Sequence, residues 1–334
     1  MKKKITVCIQ SYNHDKYIGE CIQSILNQTY KNFDLIIFDD GSNDETIKIV
    51  KKKISENKNK KIRLIKTNSP KNHTNFNNIL KSQKLFGEYF TIFHSDDIYE
   101  PNILEEQVKF MDANQDVMAT GTNANLINNK NKFIGTINIP RELKKISKIN
   151  NLKFTNLLFN FGFFLMTPSF IYRTDFFKKK KIFFNYLKFG WAADVYFFYT
   201  LSKYNSIGFI KKRLFNYRIS NDSVSLNLRK NSTNISDLFK VLKKILKEKK
   251  IHFDVKKQLI KNYNFLLMLN YSNINLNKII KGEKKLKKVK LIKNLSLAFD
   301  NSFKFKRFIQ ATIIKMLCNS SFTKNVLIIL NKLS

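Results

Sequence analysis

The chain has 334 residues, 43% of them hydrophobic, with only 9 Gly and 4 Pro. That supplies a real core for about two domains, or for one domain with an extension, and it excludes fibrous and low-complexity chains. A formal net charge of +36, from 61 Lys and Arg against 25 Asp and Glu, predicts attraction to nucleic acid, anionic lipid or a phosphorylated substrate. The joint abundance of Lys, Asn, Ile and Phe is also what A/T-rich coding produces, so charge alone names no partner. Cys8, Cys21 and Cys318 show no paired spacing, and the four histidines are scattered. Neither a disulfide framework nor a structural zinc site is expected. The apolar stretch after the basic residues 1–4 is too short for a secretory signal. No run approaches the roughly 18 apolar residues of a membrane span, so a cytoplasmic protein is expected.

In chain order, residues 4–10 read as a buried strand that ends in the polar turn Ser11-Tyr12-Asn13-His14-Asp15. Asn13 or Asp15 can cap the next helix, where Tyr17, Ile18, Cys21, Ile22, Ile25 and Leu26 recur at helical spacing. Residues 32–38 form a second strand, which stops at Asp39-Asp40-Gly41-Ser42-Asn43-Asp44. A helix follows through Ile47, Ile49 and Val50. Residues 62–66 form a third strand, residues 72–86 a helix, and residues 89–93 a fourth strand, with another helix starting near Pro101. Four strand–helix alternations predict a parallel sheet covered by helices on both faces. The first strand is not followed by Gly-x-Gly-x-x-Gly, and no Walker-type phosphate loop is present, so a dinucleotide-binding Rossmann domain is disfavoured.

Two of these strands end in paired acids. Asp39 and Asp40 close the second strand, and Asp96 and Asp97 follow the apolar run Phe90-Thr91-Ile92-Phe93. In a parallel sheet the carboxyl ends share one edge, where ligands bind. Two adjacent acids there suit a hard divalent cation that also touches substrate phosphates. Each pair also has a plainer reading. Asp39-Asp40-Gly41-Ser42 suits a simple turn, and an Asp ahead of the helix near Pro101 suits an N-cap. Capping needs only one acid.

Four motifs in order carry a resemblance. They are Val7-Cys8-Ile9-Gln10-Ser11-Tyr12-Asn13; Cys21-Ile22-Gln23-Ser24-Ile25-Leu26-Asn27-Gln28-Thr29-Tyr30; Asp39-Asp40-Gly41-Ser42-Asn43-Asp44; and Gly87-Glu88-Tyr89 leading to Asp96-Asp97. Together they resemble glycosyltransferase family 2, whose members have a GT-A fold and use nucleotide sugars. The resemblance is strong over residues 4–125 and fades towards residue 225. It implies an α/β fold of GT-A type: a mixed, mostly parallel sheet flanked by helices, with a C-terminal helical extension. Residues 1–225 would be the catalytic domain, with a nucleotide-sugar half (1–125) and an acceptor half (126–225). Residues 226–334 would be a basic, mainly helical region.

The resemblance also implies roles. Gln10, Ser11, Tyr12, Asn13 and Asp40 would hold the uracil of a UDP-sugar, with Asp39 supporting the loop. Asp96 would lie near the ribose, and Asp97 would bind Mn2+ or Mg2+ bridging the two phosphates. Several positions depart from the family pattern. His94 stands where many members carry an acid; such a His can weaken metal binding or lie behind the site, and the latter is expected. Gln10-Ser11 replaces a Pro-Thr type of pair, and the stretch Thr74-Asn75-Phe76-Asn77-Asn78 has no Arg, which leaves Lys71 as a candidate cation for the nucleotide.

In the second half, Leu165-Met166-Thr167-Pro168-Ser169-Phe170-Ile171-Tyr172-Arg173 reads as a strand returning to the site. Asp194 precedes an aromatic helix over residues 195–201 and matches the family's catalytic acid, although Ala193 departs from the usual neighbour. An inverting transfer needs such a base, opposite the leaving diphosphate. Its alternative is a helix cap. Trp191, the only Trp, can stack on a sugar ring or serve as a core aromatic. Arg218, in Phe215-Asn216-Tyr217-Arg218 ahead of Ser223 and Ser225, can pair with a carboxylate, with diphosphate, or in a structural ion pair.

Residues 230–334 carry 24 Lys and Arg against 5 Asp and Glu. Phe305, Phe308, Ile309, Ile313, Met316 and Leu317 share a helical face edged by Lys304, Lys306, Arg307 and Lys315. Such a helix can lie peripherally on an anionic membrane, which would suit a lipid-linked glycan acceptor, or pack on the catalytic domain.

The expected function is therefore an inverting, metal-dependent transfer from a UDP-sugar to a hydroxyl of a glycan acceptor, in bacterial surface-polysaccharide synthesis. One alternative is a nucleic-acid-binding protein, since aromatic and Lys residues interleave over residues 176–184. It is disfavoured because three acid clusters would repel phosphate. The other is a transferase fold that binds sugar nucleotide without turnover.

Overall fold

In the computed structural model, the described residues are 3–67, 75–82, 86–145, 147–220, 234–248, 251 and 253–280. The chain divides into two compact units, one of Met1–Leu157 with Phe163–Ser220, the other of Leu158–Gly162 with Asn221–Ser334.

The first unit is built on one mixed, mostly parallel sheet. Its strands are β1 (Ile5–Ser11), β2 (Phe33–Asp39), β3 (Ile62–Lys66), β4 (Tyr89–His94), β5 (Ile98–Tyr99), β6 (Val117–Ile127), β7 (Phe133–Thr136), β8 (Lys148–Ile149), β9 (Ile171–Arg173) and β10 (Ser206–Arg218). The order is β3-β2-β1-β4-β9-β6-β10-β5, with β7 paired to β6 and β8 to β10. β1, β2, β3 and β4 are parallel to one another. The order turns back between β1 and β4, which makes their carboxyl ends a topological switch point, the usual ligand edge of such sheets. β9 is the short antiparallel link between β4 and β6. β6 and β10 therefore run parallel to β4 and end on the same edge.

The helices are α1 (Ile18–Leu26), α2 (Thr46–Glu56), α3 (Asn75–Lys81), α4 (Ile103–Ala113), α5 (Asn151–Phe161), α6 (Thr174–Lys180), α7 (Tyr186–Phe189) and α8 (Ala193–Ser202), then α9 (Leu238–Leu246) and α10 (Phe253–Ile280). Alternation along the strands sorts the core. Val7 and Ile9 of β1 and Tyr89 and Phe93 of β4 face α1 and α4, packing with Ile22, Ile25, Leu104 and Met111. Phe90 of β4 points the other way, onto Tyr172 of β9 and Phe177 of α6. Helices thus cover both faces, as the alternation predicted.

One expected element differs. The segment 165–173 is mostly not a strand. Pro168 sits in a 3-10 turn over Thr167–Ser169, and only Ile171–Arg173 pairs, because proline has no N–H to give a ladder. Of the helix expected over residues 72–86, the described residues form α3, Asn75–Lys81; residues 72–74 and 83–85 lie outside the described residues.

Within the second unit, α9 buries Phe239, Val241, Leu242 and Ile245. Phe239 meets Tyr263 of α10 edge to face at 5.5 Å, and Asn262 donates to the Asn160 side chain at 2.7 Å. Among the described residues, no helix is long and apolar enough to cross a membrane. The basic amphipathic face at residues 304–317, the Ser223 to Ser225 segment and Lys71 lie outside the described residues.

Candidate active site

The second strand delivers Asp39 and Asp40 fully or nearly buried. Both carboxylate oxygens of Asp39 are engaged by Ser42, whose N–H donates at 2.8 Å and whose hydroxyl donates at 2.6 Å. Gly41 between them has φ 81, a left-handed value that glycine adopts without a Cβ clash. Asp39 therefore shapes the loop. Asp40 donates its backbone N–H to the Ser11 carbonyl at 2.9 Å, and its carboxylate accepts from the Thr67 hydroxyl. Burial raises its pKa, and the Thr67 hydrogen bond offsets only part of that rise.

The end of β1 is knitted to this loop. Asn13, at φ 50, donates its N–H to the Ser42 hydroxyl at 2.8 Å and accepts from the Asn43 N–H at 2.9 Å. Asp15 N–H donates to Asp44 at 3.1 Å. Neither Asn13 nor Asp15 caps α1, whose N-terminus at Tyr17 has no side-chain cap. The expectation of a cap there fails because the Asn13 side chain is committed across the sheet edge. Gln10 and Tyr12 are half-buried, and the Ser11 hydroxyl is buried without a partner among the described residues.

The fourth strand delivers the second acid pair beside them. Ser95 N–H donates to the Gln10 carbonyl at 3.2 Å, and its hydroxyl meets His14 Nδ1 at 2.6 Å. Asp97 is 1% exposed. One of its oxygens accepts from the Arg218 N–H at 2.9 Å. The other is buried with no partner among the described residues. Burial and the neighbouring charge of Asp96 hold the Asp97 pKa well above the usual carboxylate range. Burial lowers that of His94, so its imidazole is neutral at pH 7. His94 Nε2 also has no partner. His94, Asp96 and Asp97 each offer one ligand atom, all within 4.8 Å of one another. His94 thus faces the acids and does not lie behind them, as was expected from its departure from the acidic pattern. A buried carboxylate oxygen without a donor is costly. A divalent cation would satisfy it, and two carboxylates with a neutral imidazole form a coherent donor set.

Arg218, at the end of β10, holds this loop from behind. Its Nε donates to the Asp96 carbonyl at 2.7 Å. Nη1 reaches the Asn128 carbonyl at 3.0 Å and the Asn131 side chain at 2.6 Å, and Nη2 reaches Glu20 at 3.3 Å. The guanidinium lies 4.5 Å over the Tyr17 ring. With its donors so committed and 2% of the residue exposed, Arg218 is a positioning residue and is not available to diphosphate.

Asp194 lies in the first turn of α8. It accepts from its neighbour Val195 N–H at 2.7 Å and from the Thr167 hydroxyl at 3.2 Å. Burial pushes its pKa up to about 6, against both of these hydrogen bonds. Thr167 opens the 3-10 turn that leads into β9, which runs antiparallel to β4 with Ile171 opposite Thr91. Thr167 therefore lies towards the edge where β4 ends, and it draws Asp194 to that edge. Asp194 is not the helix N-cap, which is Ala192. Trp191, three residues earlier, is 46% exposed, so it is not a core aromatic.

Much of the motif sequence proves to be scaffold. A Cβ on Gly87 would collide with the Lys4 carbonyl. Glu88 accepts from the Lys4 N–H at 2.7 Å, and the Tyr89 hydroxyl donates to Asp112 at 2.6 Å. Gln28 is fully buried and ties α1 to the 100–104 segment through the Glu100 carbonyl and the Leu104 N–H. Thr67, Thr167, His14, Glu20 and Asn131 were not singled out from the sequence. Each acts across 27 or more residues, and no local pattern marks such partners.

The sequence profile described as Glycosyl transferase family 2 matches residues 6–179. An uncharacterized glycosyltransferase of Haemophilus influenzae is 35% identical over 134 residues, which cover 40% of this chain and 52% of the relative. The chain spans about half the length of that relative. S. aureus TarS 1-349 in complex with UDP-GlcNAc superposes with a TM-score of 0.57 at 20% identity, covering 92% of this chain and 79% of that 1-349 chain. The mannosyltransferase PcManGT of Pyrobaculum calidifontis, with GDP-Man and Mn2+, gives 0.59 at 12% identity, covering 94% and 87%. At these identities the structural likeness is one of fold. The profile covers more than half of the chain and contains both acid pairs, so the chain belongs to glycosyl transferase family 2.

Proposed function

We propose that the chain is an inverting, metal-dependent glycosyltransferase that moves a sugar from a UDP-sugar to a hydroxyl of a glycan acceptor. The observation that carries this reading is the buried, unpartnered carboxylate oxygen of Asp97, set beside Asp96 and His94 at the carboxyl end of β4. Asp97, with Asp96 and His94, would hold a divalent cation, and the imidazole favours a transition ion such as Mn2+ over Mg2+. That cation would offset charge on the departing diphosphate.

The chain's own groups do the rest. Asp40 accepts the uracil N3–H, next to Gln10, Ser11, Tyr12 and Asn13, while Asp39 keeps the loop closed. Asp96 meets the ribose. Asp194 removes the acceptor hydroxyl proton as that oxygen bonds to the anomeric carbon and the bond to the diphosphate breaks. A carboxylate with a pKa of about 6 is mostly ionised at pH 7, and it is a stronger base than an exposed Asp. Thr167 and the Val195 N–H fix its orientation. Trp191 offers a half-exposed ring for the acceptor sugar. The proposed setting is the synthesis of a bacterial surface glycan on the cytoplasmic side, with the basic C-terminal region resting on the membrane. The structural neighbours in complex with UDP-GlcNAc, and with GDP-Man and Mn2+, support a nucleotide-sugar donor.

Thermal unfolding with UDP, GDP and CMP, each with and without Mn2+, tests the reading. A ligand that binds only the folded state at a hundredfold excess over its Kd stabilises by about 2.7 kcal/mol. The expected result is a shift with UDP that needs Mn2+ and disappears in Asp97→Ala. No shift with any nucleotide overturns it.

A further inference from the structure

A second concave site lies within the first unit, away from the acid pairs. It encloses about 220 Å3 and is lined by Lys144, Lys211 and Arg213 with Asn123, Thr136 and Asn138. No acid lines it. Among the described residues, none of the three cations forms an ion pair. The neighbouring Lys212, by contrast, is paired with Glu106 at 2.6 Å.

The strand geometry explains the separation. Lys211 and Arg213 both line the pocket, whereas Lys212 reaches Glu106 of α4. β10 bulges on both sides of Arg213, and such irregularities re-aim side chains. Arg213 lies opposite Asn123 of β6 in the ladder, and Asn123 is 5% exposed. Gly121, two residues before Asn123, is overlain by the Phe170 ring. Phe170 in turn packs on Phe198 of α8 at 4.5 Å. The pocket therefore opens on the sheet face that carries α8 and Asp194. Asn123 is four residues short of the end of β6, or about 13 Å at roughly 3.3 Å per residue.

Three unneutralised cations and three neutral polar groups fit a phosphate ester, with Arg213 able to donate two parallel hydrogen bonds. Ile137 and Ile139 add apolar surface for the attached carbon chain. We propose that this pocket is a phosphate subsite for the acceptor. It grips a phosphate ester carried by the glycan while the hydroxyl to be glycosylated reaches Asp194. The assignment of the phosphate to an acceptor rests on the transferase reading above.

The test is isothermal titration of the full chain with sn-glycerol 3-phosphate, in parallel with the Lys211→Gln/Arg213→Gln double variant and the charge-conserving Lys211→Arg/Arg213→Lys pair. UDP with Mn2+ is run on each protein as an independent readout of the donor site. Saturable binding that weakens at least tenfold in the Gln pair and persists in the charge-conserving pair, with the UDP response unchanged in all three, supports the proposal. No saturable binding, or equal affinity in the Gln pair, overturns it. Binding to phosphatidylglycerol vesicles without binding to sn-glycerol 3-phosphate also overturns it, since a bilayer needs a surface and not a pocket. If sn-glycerol 3-phosphate binds as stated and UDP fails, the pocket stands as a phosphate site and the transferase reading falls.

Discussion

Asp97 is fully buried and Asp194 half-buried, and burial has raised the pKa of both, yet they are finished differently. Both oxygens of Asp194 are engaged, by Val195 and Thr167. One oxygen of Asp97 is engaged by the Arg218 N–H, and the other has no partner among the described residues. Burial alone would make either a poor anion. What separates them is their hydrogen-bond partners, and the proposed cation role of Asp97 and the proposed base role of Asp194 rest on that difference.

The sharpest way to break this comparison is to neutralise each in turn. Asp97→Asn is expected to abolish Mn2+-dependent UDP stabilisation and to lower transfer by about a thousandfold or more, the scale of losing preorganised charge stabilisation. Asp194→Asn is expected to lower transfer by roughly 10²–10⁴-fold while leaving the UDP response intact. If both variants lose UDP binding together, the division of roles between the two acids is wrong.

Arg218 supports the Asp97 side alone. Arg218→Ala strands the Asp96 and Asn128 carbonyls and removes a buried guanidinium, which is expected to cost about 3 kcal/mol by urea unfolding. The same substitution is expected to weaken Mn2+-dependent UDP binding, because the Asp96–Asp97 loop loses its anchor.

The Asp194 side has a pH signature. Its folded pKa, about 6, lies above the unfolded value of 3.8. Between those values the folded state retains a proton that the unfolded chain releases, so this group's contribution to stability falls as pH rises through the window. Asp194→Asn removes that penalty. At pH 7 the variant is expected to be more stable by up to about 3 kcal/mol, with the gain gone below about pH 4. Activity runs the opposite way: kcat/KM of the parent chain is expected to fall about tenfold per pH unit below about 6 as the base takes up a proton.

The smallest effect is expected at Thr167. Thr167→Val removes a hydrogen bond that lowers the Asp194 pKa, so the acid limb of the rate profile moves to higher pH by up to about one unit. An unmoved limb would mean that Thr167 does not tune the base.

What the sequence by itself determined is local. Hydrophobic runs ending in acid pairs were legible because strand period and chain chemistry are written in adjacent residues. So were the strand–helix alternation and the short motifs that point to the family. Asp39, Asp40, Asp96, Asp97 and Asp194 were all visible this way. Only the tertiary structure decided which of their oxygens have partners, because the donors come from far along the chain: Arg218 is 121 residues from Asp97 and Thr67 is 27 from Asp40. The same holds for His94, whose direction depends on the pleat of β4, and for the cationic pocket. In sequence, Lys211, Lys212 and Arg213 are one basic run among many. The fold splits that run, sending Lys212 to Glu106 and leaving the other two at the pocket, without an ion pair among the described residues. Pairing and burial are properties of three-dimensional neighbours, and a one-dimensional pattern carries them only when the neighbours are also close in the chain.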